Sequence, residues 1–280
     1  MNSERQTAPA PRRIAIVAPA RRLDETAAEA VTKLAKSAGV PAELVFHSQC
    51  FARSGHFAGA DEVRRAALVE VANAPDFDAV WFARGGYGSM RLLDGLTDEL
   101  GPAALDKVYA GFSDTGALLA TLYGAGIGTC VHAPMPANIR LEGGAPAILR
   151  TLEFLSAPPP PGRSGPPEAA FNLTILAALC GAPHFPNLAG HVLHLEDVGE
   201  YHYRIDRAFA QLAATPWFPA LAGVRLGRFS EIPENNIDFG QTGEEIARAW
   251  CARAGVEVMA DSPIGHDIHN GLVPFGPRPA

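Results

Sequence analysis

The chain has 280 residues, enough for one large domain or two small ones at roughly 100–200 residues each. Apolar residues make up 48% and charged residues 19%, so it can bury a core and is not a disordered chain. A net charge of −7 and a pI near 5.7 argue against general affinity for nucleic acid or an anionic membrane, which clustered Lys and Arg would serve.

The apolar run Arg13–Pro19 reads as a buried strand. Leu23–Ala38 has Leu, Val and Ala at helical spacing and ends at Gly39. Glu43–His47 is a second strand, and Asp61–Asn73 a second helix with Asp61 as its N-cap. Asp78–Ala83 is a third strand, Met90–Leu100 a helix and Lys107–Gly111 a fourth strand. Thr115–Tyr123 is again helical, and Gly128–His132 is a fifth strand. Alternation of this kind predicts an α/β fold: an N-terminal parallel sheet with flanking helices.

Residues 157–168 break the pattern with four consecutive prolines, which favour extended polyproline II. The expected division is residues 1–156, a linker at 157–168, and a smaller C-terminal α+β domain at 169–280. Its predicted elements are a strand at His191–Glu196, a helix at Ile205–Ala213, a strand at Gly223–Phe229, a helix at Glu244–Ala254, and short strands at Val256–Ala260 and Gly271–Phe275.

Cys50, Cys130, Cys180 and Cys251 form no CxxC, which excludes a zinc ribbon or a thioredoxin-type motif and reads as reduced core residues. No apolar run reaches the roughly 18 residues of a membrane helix, and Met1–Arg13 lacks the apolar stretch of a signal peptide. The expectation is a cytoplasmic protein with no membrane or nucleic-acid partner.

Open parallel sheets bind ligands beyond the carboxyl ends of their strands. Two segments at such ends stand out. Arg84-Gly-Gly-Tyr-Gly88 lets backbone N–H groups approach an anion, although it matches no nucleotide fingerprint and also suits a tight turn. Gly111-Phe-Ser-Asp-Thr115 is close to the GxSxG elbow that exposes a serine above a sheet, with Thr115 where the second glycine would be. Ser-Asp-Thr is equally a run of good N-caps, the commoner use. Of nine histidines, His266 lies in an irregular stretch, where a loop can carry it to a serine in the other half. His266 and His269 make at most an incomplete metal pair, so no metal is expected. Glu196, Asp197 and Glu200 are candidate acids, with Arg204 and Arg207 placed to hold them.

Taken together, Arg84-Gly-Gly-Tyr-Gly with Arg91, Gly111-Phe-Ser-Asp, Asn172-Leu-Thr, Leu195-Glu-Asp-Val-Gly-Glu with Tyr203-Arg-Ile-Asp-Arg, and Pro263-Ile-Gly-His266 resemble the serine LD-carboxypeptidase family. That family also includes microcin-immunity hydrolases. The blocks occur in the family's order over essentially the whole chain.

The resemblance implies a Ser113–Glu196–His266 triad and an oxyanion hole from the N–H groups of Gly86 and Asp114. It implies cleavage of the L-D bond that holds the terminal D-alanine of murein tetrapeptides, with no cofactor, in a homodimer. Arg84, Asn172 and Arg204 are candidates for binding substrate. The sequence departs from the family at Ala133 and at Phe171, each in place of glycine, and Phe171 in that place can narrow or reshape the substrate cleft. Two other readings are a same-fold hydrolase of a peptidyl-nucleotide antibiotic and a non-catalytic peptide- or sugar-binding module. The first is disfavoured because residues 230–243 hold only Phe239 as an aromatic for stacking a base. The second is disfavoured by the intact Ser113, Glu196 and His266.

Overall fold

The β-branched run after Arg12 forms the first strand, β1 (Arg12–Val17), and its last four residues are fully buried. Its surroundings come from a computed structural model that describes residues 11–158 and 164–276. Asp24 caps the next helix, α1 (Glu25–Ser37), by accepting from the N–H of Ala27, and the helix lays Ala27, Ala28, Val31 and Ala35 against the sheet. Chain order continues with β2 (Ala42–Phe46), α2 (Asp61–Asn73), β3 (Ala79–Phe82), β4 (Val108–Gly111), α3 (Gly116–Gly124), β5 (Thr129–His132) and α4 (Ala145–Ser156). These strands pair in the order β2-β1-β3-β4-β5, all parallel. One face packs Ile14, Ile16 and Trp81 against α1 and α4. The other packs Val80, Phe82 and Tyr109 against α2 and α3.

A second, three-stranded parallel sheet follows. Its elements are β6 (Glu168–Asn172), α5 (Leu173–Leu179), β7 (Val192–Val198), α6 (His202–Ala213), β8 (Gly223–Ser230) and α7 (Gly243–Ala254), with the strands in the order β6-β7-β8. The chain then returns to the first sheet. There β9 (Val273–Pro274) pairs antiparallel with β5, and the N–H of Gly276 donates to the carbonyl of Glu168 at the edge of the second sheet. A single apolar cluster runs from Phe82 and Leu118 through Phe171 and Phe275 to Leu226 and Cys251.

Several expectations are corrected. Met90–Leu100 is not a helix but two 3-10 turns, Ser89–Leu92 and Thr97–Glu99, separated by Gly95 at φ +66°. Asp61 does not cap α2. Its carboxylate is drawn to Arg64 and Arg91 instead, and Ala60 occupies the cap without a side-chain bond. Residues 256–260 form only an isolated bridge, Val224 to Val258, and the final strand joins the first sheet rather than the second. Helices α4 and α5 and strand β6 match no expected element. The expected linker at 157–168 falls partly outside the described residues. Cys50, Cys130 and Cys251 are buried and Cys180 half-buried, all four as free thiols. No helix among the described residues is long and apolar enough to cross a membrane.

Candidate active site

Strand β4 ends at Gly111, where a Cβ would stand 2.5 Å from the Thr115 hydroxyl and 2.7 Å from the Phe82 ring. The chain therefore turns tightly over Phe82. Phe112 is still extended, and Ser113 then takes φ +58°, a left-handed conformation shared by only one other non-glycine residue among those described, Glu231. Such a residue costs on the order of 1–3 kcal/mol and persists only where its surroundings demand it. Ser113 is the first residue of the turn rather than its cap, and its hydroxyl is engaged by His266. Thr115, where the elbow motif has glycine, sits at φ −71°, which any residue adopts, so threonine fits.

The Ser113 hydroxyl lies 2.9 Å from Nε2 of His266, and Nδ1 of the same ring lies 2.6 Å from Oε2 of Glu196. Glu196 is fully buried on β7, whereas His266 is half-buried on the loop before β9. Both ring nitrogens are thus engaged, one by the serine and one by the carboxylate. His269 is exposed. Phe112 covers the imidazole at 4.9 Å between ring centroids.

The approach of His266 to Glu196 depends on β8. The register between β7 and β8 slips at this point: Leu195 faces Leu226 but Asp197 faces Phe229, so Gly227 and Arg228 together oppose Glu196. Arg228 reaches over Gly265 and pairs with Asp267 in the His266 loop. From the other side, the Asn270 side-chain oxygen accepts from the N–H of Gly265 at 3.2 Å and lies 3.0 Å from Nε2 of buried His132. The backbone N–H can only donate, so the atom it meets is the oxygen, and His132 must donate to that oxygen as well.

The glycine loop after β3 is held against the serine. The Asp114 carboxylate, 1% exposed, accepts from the N–H groups of Gly88 at 3.2 Å and Ser89 at 2.9 Å. Arg64, wholly buried on α2, donates to the carbonyls of Pro19 and Gly88 behind it. Gly85 touches the serine, for a Cβ there would lie 3.0 Å from Cβ of Ser113. A cleft of about 470 Å3 opens here, lined by Arg84, Gly86, Ser113 and His266. A larger cavity of about 640 Å3, between His202, Arg228 and Glu244, contains none of Ser113, Glu196 or His266.

The structure thus brings together Ser113, Glu196, His266, Gly86, Asp114 and Arg84, and sets the other two candidates apart. Asn172 is buried, caps α5 by accepting from the N–H of Ile175, and donates to Asp197 at 2.7 Å. Asp197 also receives two bonds from Thr174, and burial nonetheless raises its pKa. Arg204 lies on the surface, paired with Glu200 at 3.3 Å and resting on Tyr201 and Tyr203. Phe171 is buried against Phe275 and is not among the residues that line the cleft, so it neither narrows nor reshapes the cleft by direct contact. Sequence reasoning missed Gly227, Arg228, Asn270 and Arg64. Their contributions are close approach and second contacts, for which no local pattern exists.

In this arrangement an imidazole can accept a hydroxyl proton while a buried carboxylate holds its other N–H. That is the chemistry of acyl transfer.

Sequence profiles of the LD-carboxypeptidase N-terminal and C-terminal domains match residues 14–133 and 170–279. The chain is similar to the murein tetrapeptide carboxypeptidase of Pseudomonas aeruginosa: 31% identical over 297 residues, spanning 98% of this chain and 94% of that protein. Its fold matches the crystal structure of muramoyltetrapeptide carboxypeptidase from Oxalobacter formigenes with a TM-score of 0.78 at 27% identity, covering 94% and 93% of the two chains. The microcin C7 self-immunity protein MccF matches with a TM-score of 0.77 at 15% identity over 96% and 92%, a likeness of fold alone.

Proposed function

This chain belongs to the LD-carboxypeptidase family, and from that membership we propose that it is a serine peptidase that removes the terminal D-residue of murein tetrapeptides. The observation that carries the reading is the relay from the Ser113 hydroxyl through both nitrogens of His266 to the Glu196 carboxylate.

His266 Nε2 takes the Ser113 proton as Oγ attacks the carbonyl of the L-D bond. The carbonyl oxygen becomes an oxyanion, held by the N–H groups of Gly86 and Asp114. Removing one such donor typically costs about 3–4 kcal/mol of transition-state stabilisation. His266 then gives its proton to the departing amine. Water, deprotonated by the same nitrogen, hydrolyses the acyl-serine. Glu196 keeps the Nδ1–H tautomer in place and stabilises the imidazolium that forms.

Two features fit this cycle. Ser113 opens the helical turn Ser113–Thr115, which runs directly into α3, and the first N–H groups of such a turn are the ones free to hold an oxyanion. Gly86 has φ +115°, a conformation that favours glycine. The antibiotic-hydrolase reading finds less support, because Phe239 stacks on His202, beside the larger cavity and away from Ser113.

The test is the release of D-alanine from an L-D tetrapeptide beside an otherwise identical L-L peptide. Inverting the leaving residue swaps its side chain and hydrogen, and misplacements of about 1 Å cost roughly 10²-fold in rate. Equal cleavage of both would mean a general peptidase.

A further inference from the structure

The sheet order β2-β1-β3-β4-β5 reverses direction between β1 and β3. Connections leave the two strands on opposite sides there, and a crevice opens beyond their carboxyl ends. The loop after β1 carries Arg21, the loop after β3 carries Arg84, and both arginines line the cleft that holds Ser113 and His266.

The two cations are not equivalent to the third arginine nearby. Arg140 is already engaged, paired with Asp24 and bonded to Thr26. Asp24 is in turn held at a pKa of about 2 by the Thr26 hydroxyl and by Arg140. Arg84 and Arg21 have no carboxylate at ion-pair distance among the described residues. Arg84 is half-buried, and its guanidinium holds its proton less tightly than usual, first because of burial and then because of the charge on Arg21, against the opposing charge of Asp24, which lines the same cleft but is paired with Arg140. Like charges crowded into a partly desolvated cleft are unfavourable until an anion joins them.

Position narrows what that anion is. In a peptide cut one residue from its end, three bonds separate the scissile carbonyl carbon from the terminal carboxylate carbon. The two therefore lie within roughly 4 Å. Whatever binds the carboxylate must share a wall with Ser113. Gly85 is in contact with Ser113, and Arg84 is the residue before it. Arg21 reaches the same wall from β1, because its stem lies across Gly86. A Cβ on Gly86 would stand 2.3 Å from Cδ of Arg21.

We propose that Arg84 and Arg21 together bind the free terminal carboxylate of the substrate, and that this pair confines the enzyme to chain ends. The inference deepens the peptidase reading and rests on it. A planar guanidinium can bind a carboxylate through two parallel bonds, and the second arginine supplies charge from the opposite loop.

The test separates binding from turnover. Calorimetry on Ser113→Ala protein compares an L-D tetrapeptide ending in a free acid with the same peptide ending in an amide. The expected result is at least about tenfold tighter binding of the acid. In Ser113→Ala/Arg84→Met and Ser113→Ala/Arg21→Met the preference falls towards unity, and in Ser113→Ala/Arg84→Lys it is partly retained. Arg21 is exposed, so its variant keeps the test available if Arg84→Met does not fold. A second peptide pair differs at the third residue, which ends either in a carboxylate or in an amine. If the arginine variants erase that difference instead, the pair reads a side chain and the assignment to the terminus is overturned. Equal binding of acid and amide, or binding of neither, overturns it too. Turnover by the unsubstituted enzyme is scored separately. Failure to cleave either peptide refutes the peptidase reading, whereas a preference for acid over amide in the calorimeter still establishes the subsite.

Discussion

A Cβ on Gly227 would stand 3.0 Å from the Cβ of Glu196 and 2.6 Å from the carbonyl oxygen of Ile264. The lack of a side chain on β8 is therefore what lets the His266 loop close over the buried carboxylate. Gly227→Ala must push either β8 or the loop outward. Overpacking of this kind costs about 1–3 kcal/mol, and a displacement near 1 Å at His266 costs roughly 10²-fold in rate. We expect turnover to fall by one to two orders of magnitude while the protein still folds, read from steady-state kinetics beside a urea melt. Wild-type kinetics in the variant would mean that the loop does not depend on this approach.

Ser113 allows stability and activity to be separated. With φ at +58°, the residue carries strain that glycine would not. Ser113→Ala should lose at least about 10³-fold in turnover with stability nearly unchanged, since alanine is strained at the same place. Ser113→Gly should lose the same turnover yet gain about 1 kcal/mol in unfolding free energy, because the strain is released. If the hydroxyl were only a helix cap, both changes would leave turnover intact, and Ser113→Ala would cost about 1 kcal/mol of stability.

Glu196 tests the relay from its far end. The carboxylate is fully buried, with Oε2 on His266 and Oε1 without a hydrogen-bond partner among the described residues. Glu196→Gln keeps the shape but can donate to Nδ1, which favours the tautomer that presents N–H rather than a lone pair to Ser113. Turnover should fall by roughly 10³-fold or more with little change in KM. A loss confined to KM would place Glu196 in binding rather than in orientation of the imidazole.

How much of this was legible beforehand follows from the kind of signal each part carries. The strand β1 and the helix α1 were readable because a β-branched run and apolar residues at helical spacing act locally. The stretch 90–100 misled because its apolar spacing looks helical, while Gly95 takes φ +66° and splits it into short turns. Strand β6, Glu-Ala-Ala-Phe-Asn, has little strand propensity of its own and is imposed by pairing with β7. The elbow at Ser113 was visible as a sharp turn, but its partners were singled out by resemblance, since Glu196 and His266 stand 70 residues apart in sequence. Arg21 had no signal at all. Only the order of strands in the sheet brings its loop to the cleft.

The last test concerns His132, which positions the His266 loop through Asn270 without touching the reacting atoms. His132 is 1% exposed. Burial, with a smaller contribution from the charge of His266, lowers its pKa from the ordinary 6.5 to about 4, against the opposing bond to Asn270. In the folded protein it is therefore neutral above about pH 4, whereas in the unfolded chain it gains a proton below about 6.5. The unfolded state binds more protons across this window, so stability rises with pH there and falls on acidification. Between pH 7 and pH 5 this one group should remove about 2 kcal/mol of unfolding free energy. His132→Gln keeps a donor for Asn270 and cannot titrate, so its stability at pH 7 and pH 5 should differ by that much less. Urea unfolding of both proteins at the two pH values measures this. Turnover should separate positioning from mere packing: His132→Phe, which removes the donor, should lower kcat about tenfold with KM unchanged, and His132→Gln should recover most of it. An equal pH dependence in wild type and His132→Gln would mean that His132 titrates normally, and equal kcat in His132→Phe and wild type would mean that its bond to Asn270 does not hold the loop.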